Sequence, residues 1–160
     1  MNKKYILNNA LTLNITGNSF HAEAVPIYET ELKLHKKHFK FDFTILAKEG
    51  KIIYKIYKIN EPDIIQGLVA FLPAKGVLDC YNMEASKLNR PPSLMYKNLG
   101  KLMLSLCCKI SFDYGLDGYI TFESKNNLMN YYRRFGATNT FGLRMGINNI
   151  SAQKLVSLYF

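Results

Sequence analysis

The segment that most constrains the fold is 93–118, because its second part fits one kind of element only. Leu99, Leu102, Met103, Leu106 and Ile110 fall at offsets of three, four, seven and eleven, which is one face of a 3.6-residue repeat. Gly115 follows Asp113 and Tyr114, where a left-handed C-terminal cap ends a helix. Strand-like runs lie on either side, at 77–84 and 119–124. The helix is therefore expected to cross over, right-handed, between two parallel strands. Its first turn holds Asn98, Leu99 and Gly100, with Lys97 and Lys101 beside them. Unpartnered N–H groups and the positive end of the dipole meet at such a turn. A small residue at Gly100 lets a ligand approach the backbone closely. The pattern predicts a diphosphate-binding helix start outside the carboxyl end of the preceding strand.

Composition limits the class. A chain of 160 residues is long enough to bury a real core as one domain. Hydrophobic content of 48% with 13% aromatics excludes a disordered chain. The formal net charge of +9 suits an anionic partner, whether a phosphorylated cofactor, nucleic acid or an acidic protein surface. Cys80, Cys107 and Cys108 form no Cys-x-x-Cys or Cys/His ligand spacing, so neither a metal site nor a disulfide scaffold is expected. A reduced, cytoplasmic setting fits. Lys3 and Lys4 precede Tyr5-Ile6-Leu7, but Asn8, Asn9, Asn14 and Asn18 interrupt the apolar run and no small-residue cleavage site follows. No stretch approaches the roughly 20 apolar residues that span a bilayer, so no membrane partner is expected.

In chain order, 5–15 reads as a strand or an N-terminal arm. Residues 25–38 read as a helix with Pro26 near its start and Ile27, Leu32 and Leu34 among its apolar positions. His35, Lys36, Lys37, His38 and Lys40 make a basic cluster suited to a helix end; without interleaved exposed aromatics, nucleic acid is not the favoured partner. From Phe39 the period changes to two, with Phe39, Phe41, Phe43 and Ile45 alternating with Lys40, Asp42 and Thr44, the pattern of a half-buried strand. Strands follow at 52–59, 64–72 and 77–84, with turns at 48–51, 60–63 and 73–76. Short connections imply an antiparallel meander across 39–84. A loop at 85–94 leads into the crossover helix. Beyond the strand at 119–124 come a helix at 126–135 ended by Gly136, one or two closing strands within 138–147, and a terminal helix at 152–160 capped by Asn149-Ile150-Ser151. In that last helix Leu155, Val156 and Leu158 are expected to pack inward. The organisation is one α+β domain on a mixed sheet. An N-terminal arm and helix fill 1–38, the meander 39–84, and the cofactor-binding helix, late strands and C-terminal helix 93–160.

This order resembles the GNAT acyltransferase superfamily over roughly the last hundred residues. Tyr96-Lys97-Asn98-Leu99-Gly100-Lys101-Leu102 is similar to the acetyl-CoA diphosphate loop, usually Q/R-x-x-G-x-G/A. Met95 stands at the usual Gln or Arg position and Asn98 at the first glycine, a residue that tolerates unusual backbone angles. Tyr131-Tyr132-Arg133-Arg134-Phe135-Gly136-Ala137 resembles the late motif Phe-Tyr-x-x-x-Gly-Phe. Gly115-Leu116-Asp117-Gly118 with 119–124 is similar to the family's turn and fifth strand. Met83-Glu84-Ala85-Ser86-Lys87-Leu88-Asn89-Arg90 resembles the Glu-x-Ala-Pro-x-Asn-Arg segment of one bacterial subgroup.

The resemblance implies an N-acetyltransferase that uses acetyl-CoA and an amine acceptor, a small molecule or a protein amine, and no metal. It places the pantetheine arm along Asn82, Met83, Glu84 and Ala85, and the diphosphate on Lys97, Asn98, Leu99, Gly100, Lys101 and Leu102. Asn127 would lie near the pantetheine path. Tyr132 would protonate the departing sulfur, and Glu84 would act as the base, directly or through a water. Two plainer roles compete: a core tyrosine on its helix, and a structural carboxylate pairing Lys87 or Arg90. Cys107 and Cys108 suit helix packing rather than nucleophilic chemistry, and His21, His35 and His38 suit surface or cap positions. Two other functions stay open, a GNAT-fold module without catalysis and an acyltransferase associated with nucleic acid or the ribosome. The chain is expected to be a monomer or a homodimer, with a late sheet edge available for pairing.

Overall fold

The computed structural model describes residues 3–160, and for Asn126 the backbone alone. The strands are β1 (Tyr5–Leu13), β2 (Ser19–Pro26), β3 (Ile52–Lys58), β4 (Ile65–Ala74), β5 (Val77–Ala85), β6 (Tyr96–Lys97), β7 (Ile120–Glu123), β8 (Thr138–Phe141) and β9 (Arg144–Ile147). The helices are α1 (Glu29–His35), α2 (Phe43–Lys48), α3 (Leu99–Asp113), α4 (Met129–Arg133) and α5 (Asn149–Val156). Among the described residues the strands form one sheet in the order β6-β1-β2-β3-β4-β5-β7-β9-β8. Neighbours pair antiparallel except β5 and β7, which run parallel across the α3 crossover. The mixed sheet and its crossover follow the expected pattern.

The core lies on both faces. On one, α3 packs against β4, β5 and α5, and Leu102, Leu104, Leu106 and Cys107 are fully buried. The apolar face is broader than a single stripe, because Leu104 and Cys108 are buried as well. Gly67 on β4 permits this contact: a Cβ there would sit 3.3 Å from Met103 Sδ and 3.8 Å from Leu99 Cδ1. Ser105 Oγ donates to Leu155 O at 2.8 Å, both buried, and fixes α5 on α3. The other face holds a smaller cluster in which Leu32, Phe39, Phe43 and Leu46 meet Ile53, Ile65 and Leu68. Lys55 of β3 points into that side, where its Nζ reaches Glu31 at 2.5 Å and donates to Pro62 O at 2.8 Å.

Three sequence expectations fail here, for identifiable reasons. Residues 39–45 are not a strand. Asp42 caps α2 by accepting the Thr44 N–H at 3.1 Å, and this side-chain bond offers the backbone a helical exit that alternation alone does not reveal. The sheet position beside β3 is filled by β2 instead, paired from Ala22↔Lys58 to Pro26↔Tyr54. Val25 and Pro26 accordingly end a strand, and the helix expected at 25–38 begins only at Glu29, with Glu29 and Glu31 in its first turn. At the C-terminus Asn148 is the cap, accepting the Ser151 N–H at 3.0 Å. The helix ends at Val156, and Leu158 is 50% exposed while Tyr159 turns inward.

Candidate active site

The β5–β7 ladder is short. It pairs Leu78↔Ile120, Asp79↔Thr121 and Cys80↔Phe122 and stops there. On its other side β5 stays paired with β4 as far as Gly67↔Ala85. A bulge leaves Tyr81 without a β4 partner, between Ala70↔Asn82 and Phe71↔Cys80. Bulges bend a strand and raise its twist, and the ladder to β7 ends immediately before this one, at Cys80↔Phe122. The edge facing β7 over 81–85 is thereby freed from the sheet ladder. The opening between the strands is lined by Tyr81, Asn82, Met83, Phe122, Leu128 and Tyr132.

The Tyr132 ring stands edge-on to Phe122, with centroids 4.9 Å apart. Burial, with Tyr131 adding to it, pushes its phenol up to about 12. The phenol is thus protonated near neutrality, as an ordinary tyrosine is, and burial makes it a weaker acid but leaves it a hydrogen-bond donor to an anion formed beside it. Asn127 lies exposed in the 3-10 turn Asn126–Leu128 that leads into α4.

α3 starts where expected. Asn98 caps it in the left-handed region, φ 66° and ψ 26°, which Asn adopts more readily than most residues. β6 holds the preceding residues against β1 through Thr12↔Lys97 and Leu13↔Tyr96. Buried Asn89 braces the turn: its Oδ1 accepts the Tyr96 N–H at 2.9 Å, while its amide donates to Gln66 Oε1 at 2.9 Å. Lys97 is exposed and Lys101 half-buried. The seat above this turn is not open, however. A Cβ placed on Gly100 would lie 2.8 Å from the Tyr131 hydroxyl, and the Lys101 N–H is turned toward that oxygen, partly offsetting the rise that burial gives the phenol. The ring is held by Phe135, edge-on at 5.1 Å, and by the Arg134 guanidinium 5.0 Å from its centroid. Sequence reasoning assigned Tyr131 no role. The signal was the doublet itself, since adjacent helical residues point about 100° apart and only one of two tyrosines can face the opening.

Glu84 lies on the opposite face from Met83, as consecutive strand residues do. Met83 Sδ is 3.9 Å from Cys107 Sγ under α3. The Glu84 carboxylate accepts the Lys40 N–H at 2.5 Å and the Phe41 N–H at 3.0 Å, and Arg90 Nη1 is 3.7 Å away. It thus ties the segment before α2 to the loop after β5. Asn82, Met83, Tyr132 and Leu128 meet at the opening; Lys97, Asn98, Gly100 and Lys101 surround the start of α3; Glu84 sits behind β5. Cys80, Cys107 and Cys108 are buried and free, with the Cys108 thiol pushed upward by burial. Among the described residues no group of His, Cys, Asp and Glu is placed to hold a metal ion, and no helix is long and apolar enough to cross a membrane.

A bulged strand whose parallel ladder stops after three pairs, beside a crossover-helix start on this strand order, has the fold of the GNAT acetyltransferases. The ribosomal-protein-S18-alanine N-acetyltransferase from Escherichia coli superposes with a TM-score of 0.59 at 10% identity, over 79% of this chain and 92% of that one. An acyl-CoA N-acyltransferase from Pseudomonas aeruginosa gives 0.57 at 12% identity, over 79% and 99%. AtaTR bound with acetyl-CoA gives 0.57 at 10% identity, over 84% and 97%. No family model matches the sequence, and no curated protein matches it. The likeness is one of fold.

Proposed function

We propose that this chain is an N-acetyltransferase that moves an acetyl group from acetyl-CoA to an amine. The observation that carries the proposal is the opening between β5 and β7, lined by Asn82, Met83 and Tyr132. A similar fold binds acetyl-CoA in AtaTR. The residues fit such a co-substrate: the freed edge of β5 over Asn82, Met83 and Ala85 offers backbone groups to a pantetheine arm, and the first amides of α3 with Lys97 and Lys101 offer a diphosphate seat. Tyr131 has to swing off Gly100 and Lys101 for that seat to be used.

The chain's own groups then divide the work. A β5 N–H polarises the thioester carbonyl as the amine nitrogen bonds to its carbon. Glu84, through a water and with the lone pairs left by Lys40, Phe41 and Arg90, takes the proton the amine loses. Tyr132 gives its proton to the sulfur as the C–S bond breaks. A second reading, a GNAT-fold binding module without catalysis, is favoured by one observation: the Tyr131 hydroxyl lies over Gly100 at the diphosphate seat. Thermal unfolding with acetyl-CoA separates them. A ligand at about 100 times its Kd stabilises the fold by about 2.7 kcal/mol. A clear rise in Tm is expected; an unchanged Tm at millimolar acetyl-CoA favours the module.

A further inference from the structure

Behind β5, on the face away from α3, a cleft of about 560 Å³ is lined by Lys37, Lys40, Lys87, Arg90, Phe39 and Pro91. Its two rims are the segment before α2 and the loop after β5, held together by Glu84. All of its charged lining residues are cations. Elsewhere around α1 and α2 the lysines meet acids: Lys33 and Lys48 at Glu29, Lys36 at Asp42, Lys55 at Glu31. Lys37, Lys40 and Lys87 meet none among the described residues, and their side chains are exposed. Arg90 bonds His38 O through Nη2 at 3.3 Å, yet its Nε is buried and without a hydrogen-bond partner among the described residues. An unpaired buried N–H costs free energy unless something completes it. The imidazole of His38 is held below its ordinary value first by burial and then by Lys37, Lys87 and His35.

We propose that this cleft holds the acceptor by its phosphate groups, so that the amine reaches the β5 opening from the face opposite α3. The proposal rests on the acetyltransferase reading for the word acceptor, but the binding it describes does not need acetyl-CoA. The shared chemistry is a phosphate-bearing molecule, either a polynucleotide or a small phosphate ester. Three or four cations are enough for several phosphates and few enough to give a shallow salt dependence.

The test uses the full chain without acetyl-CoA and two probes. These are a short fluorescein-labelled single-stranded RNA, followed by anisotropy, and inorganic tripolyphosphate, followed by thermal shift. The wild type is compared with Lys37→Gln/Lys40→Gln/Lys87→Gln and with a control of equal charge, Lys58→Gln/Lys75→Gln/Lys154→Gln. The cleft lysines form no ion pairs among the described residues, and circular dichroism checks that both variants fold. The expected result is RNA binding with a log–log salt slope of about 2. It should weaken about tenfold or more in the cleft variant and stay unchanged in the control. Tripolyphosphate binding with the same variant pattern but without RNA binding also supports the cleft and identifies a small phosphate ester. The proposal is overturned if neither probe binds, if the cleft variant binds like the wild type, or if the control weakens as much. Loss of the acetyl-CoA shift with probe binding intact would instead sink the acetyltransferase reading alone.

Discussion

At the scale of single residues, neighbouring Tyr132 and Tyr131 lie in different places, the first lining the opening and the second over Gly100. Tyr132 lines the opening with its phenol raised by burial, and in the proposed acetyl transfer a thiolate formed there would need a proton. Tyr132→Phe should lower kcat by about a hundredfold or more and leave the acetyl-CoA Kd unchanged; steady-state rates and titration calorimetry check this, and an unchanged kcat removes Tyr132 from the role. Glu84→Gln keeps the size of the side chain and loses the charge. A fall in kcat at unchanged Tm marks Glu84 as the proton acceptor, whereas a fall in Tm alone marks it as the tie between the two rims. His38 gives a pH dependence of known sign. Its folded pKa lies below the unfolded value of about 6.5, so below that pH the unfolded chain binds more protons and stability falls. Denaturant unfolding from pH 7.5 down to pH 5 should show this loss, and His38→Gln should flatten it. A slope that survives the substitution assigns the effect elsewhere.

At the scale of elements, the start of α3 and the body of α4 compete for the same space. With Tyr131 over Gly100, CoA in the proposed seat would bind only the fraction of molecules in which the ring has left, and its apparent Kd would rise by the inverse of that fraction. Tyr131→Ala should tighten CoA binding by about tenfold if the ring is away one-tenth of the time; a weaker affinity would mean that Tyr131 supports the ligand instead. This competition was beyond the reach of sequence patterns, which locate α3 and α4 but not the side chain that passes between them. What was legible followed periodicity. The stripe from Leu99 to Ile110, the strands β3, β4, β5 and β7, and the left-handed stops at Gly115 and Gly136 sit where their patterns put them, whereas the turn at Asn98 was pointed to by the family resemblance. Misread elements were those settled by something other than period. Asp42 starts a helix inside an alternating run, and β2 takes the place beside β3 with a weak pattern of its own. For the site, Tyr132 was found at the opening because a motif position pointed to it, whereas the rims around Glu84 depend on backbone N–H groups of Lys40 and Phe41, which no spacing rule locates.

At the scale of the whole molecule, both faces of the sheet are covered, and stability rests on the α3 side. Leu102 is fully buried between α3 and the strands, and Leu102→Ala should cost about 2–5 kcal/mol. Denaturant midpoints at unchanged m-value would confirm it; a cost under about 1 kcal/mol would mean that the packing relaxes around the loss. The break that opens the sheet has a further mechanical result. β7, β9 and β8 join the remaining strands through three rungs, helped by a clasp in which Arg144 Nη2 meets Asp79 Oδ1 at 2.6 Å. Those three strands, unlike α5, which is pinned to α3, are therefore hung like a door on a short hinge, and amide exchange should release them as one leaf before β3 and β4 give way. Cutting the clasp with Arg144→Ala should loosen that leaf alone.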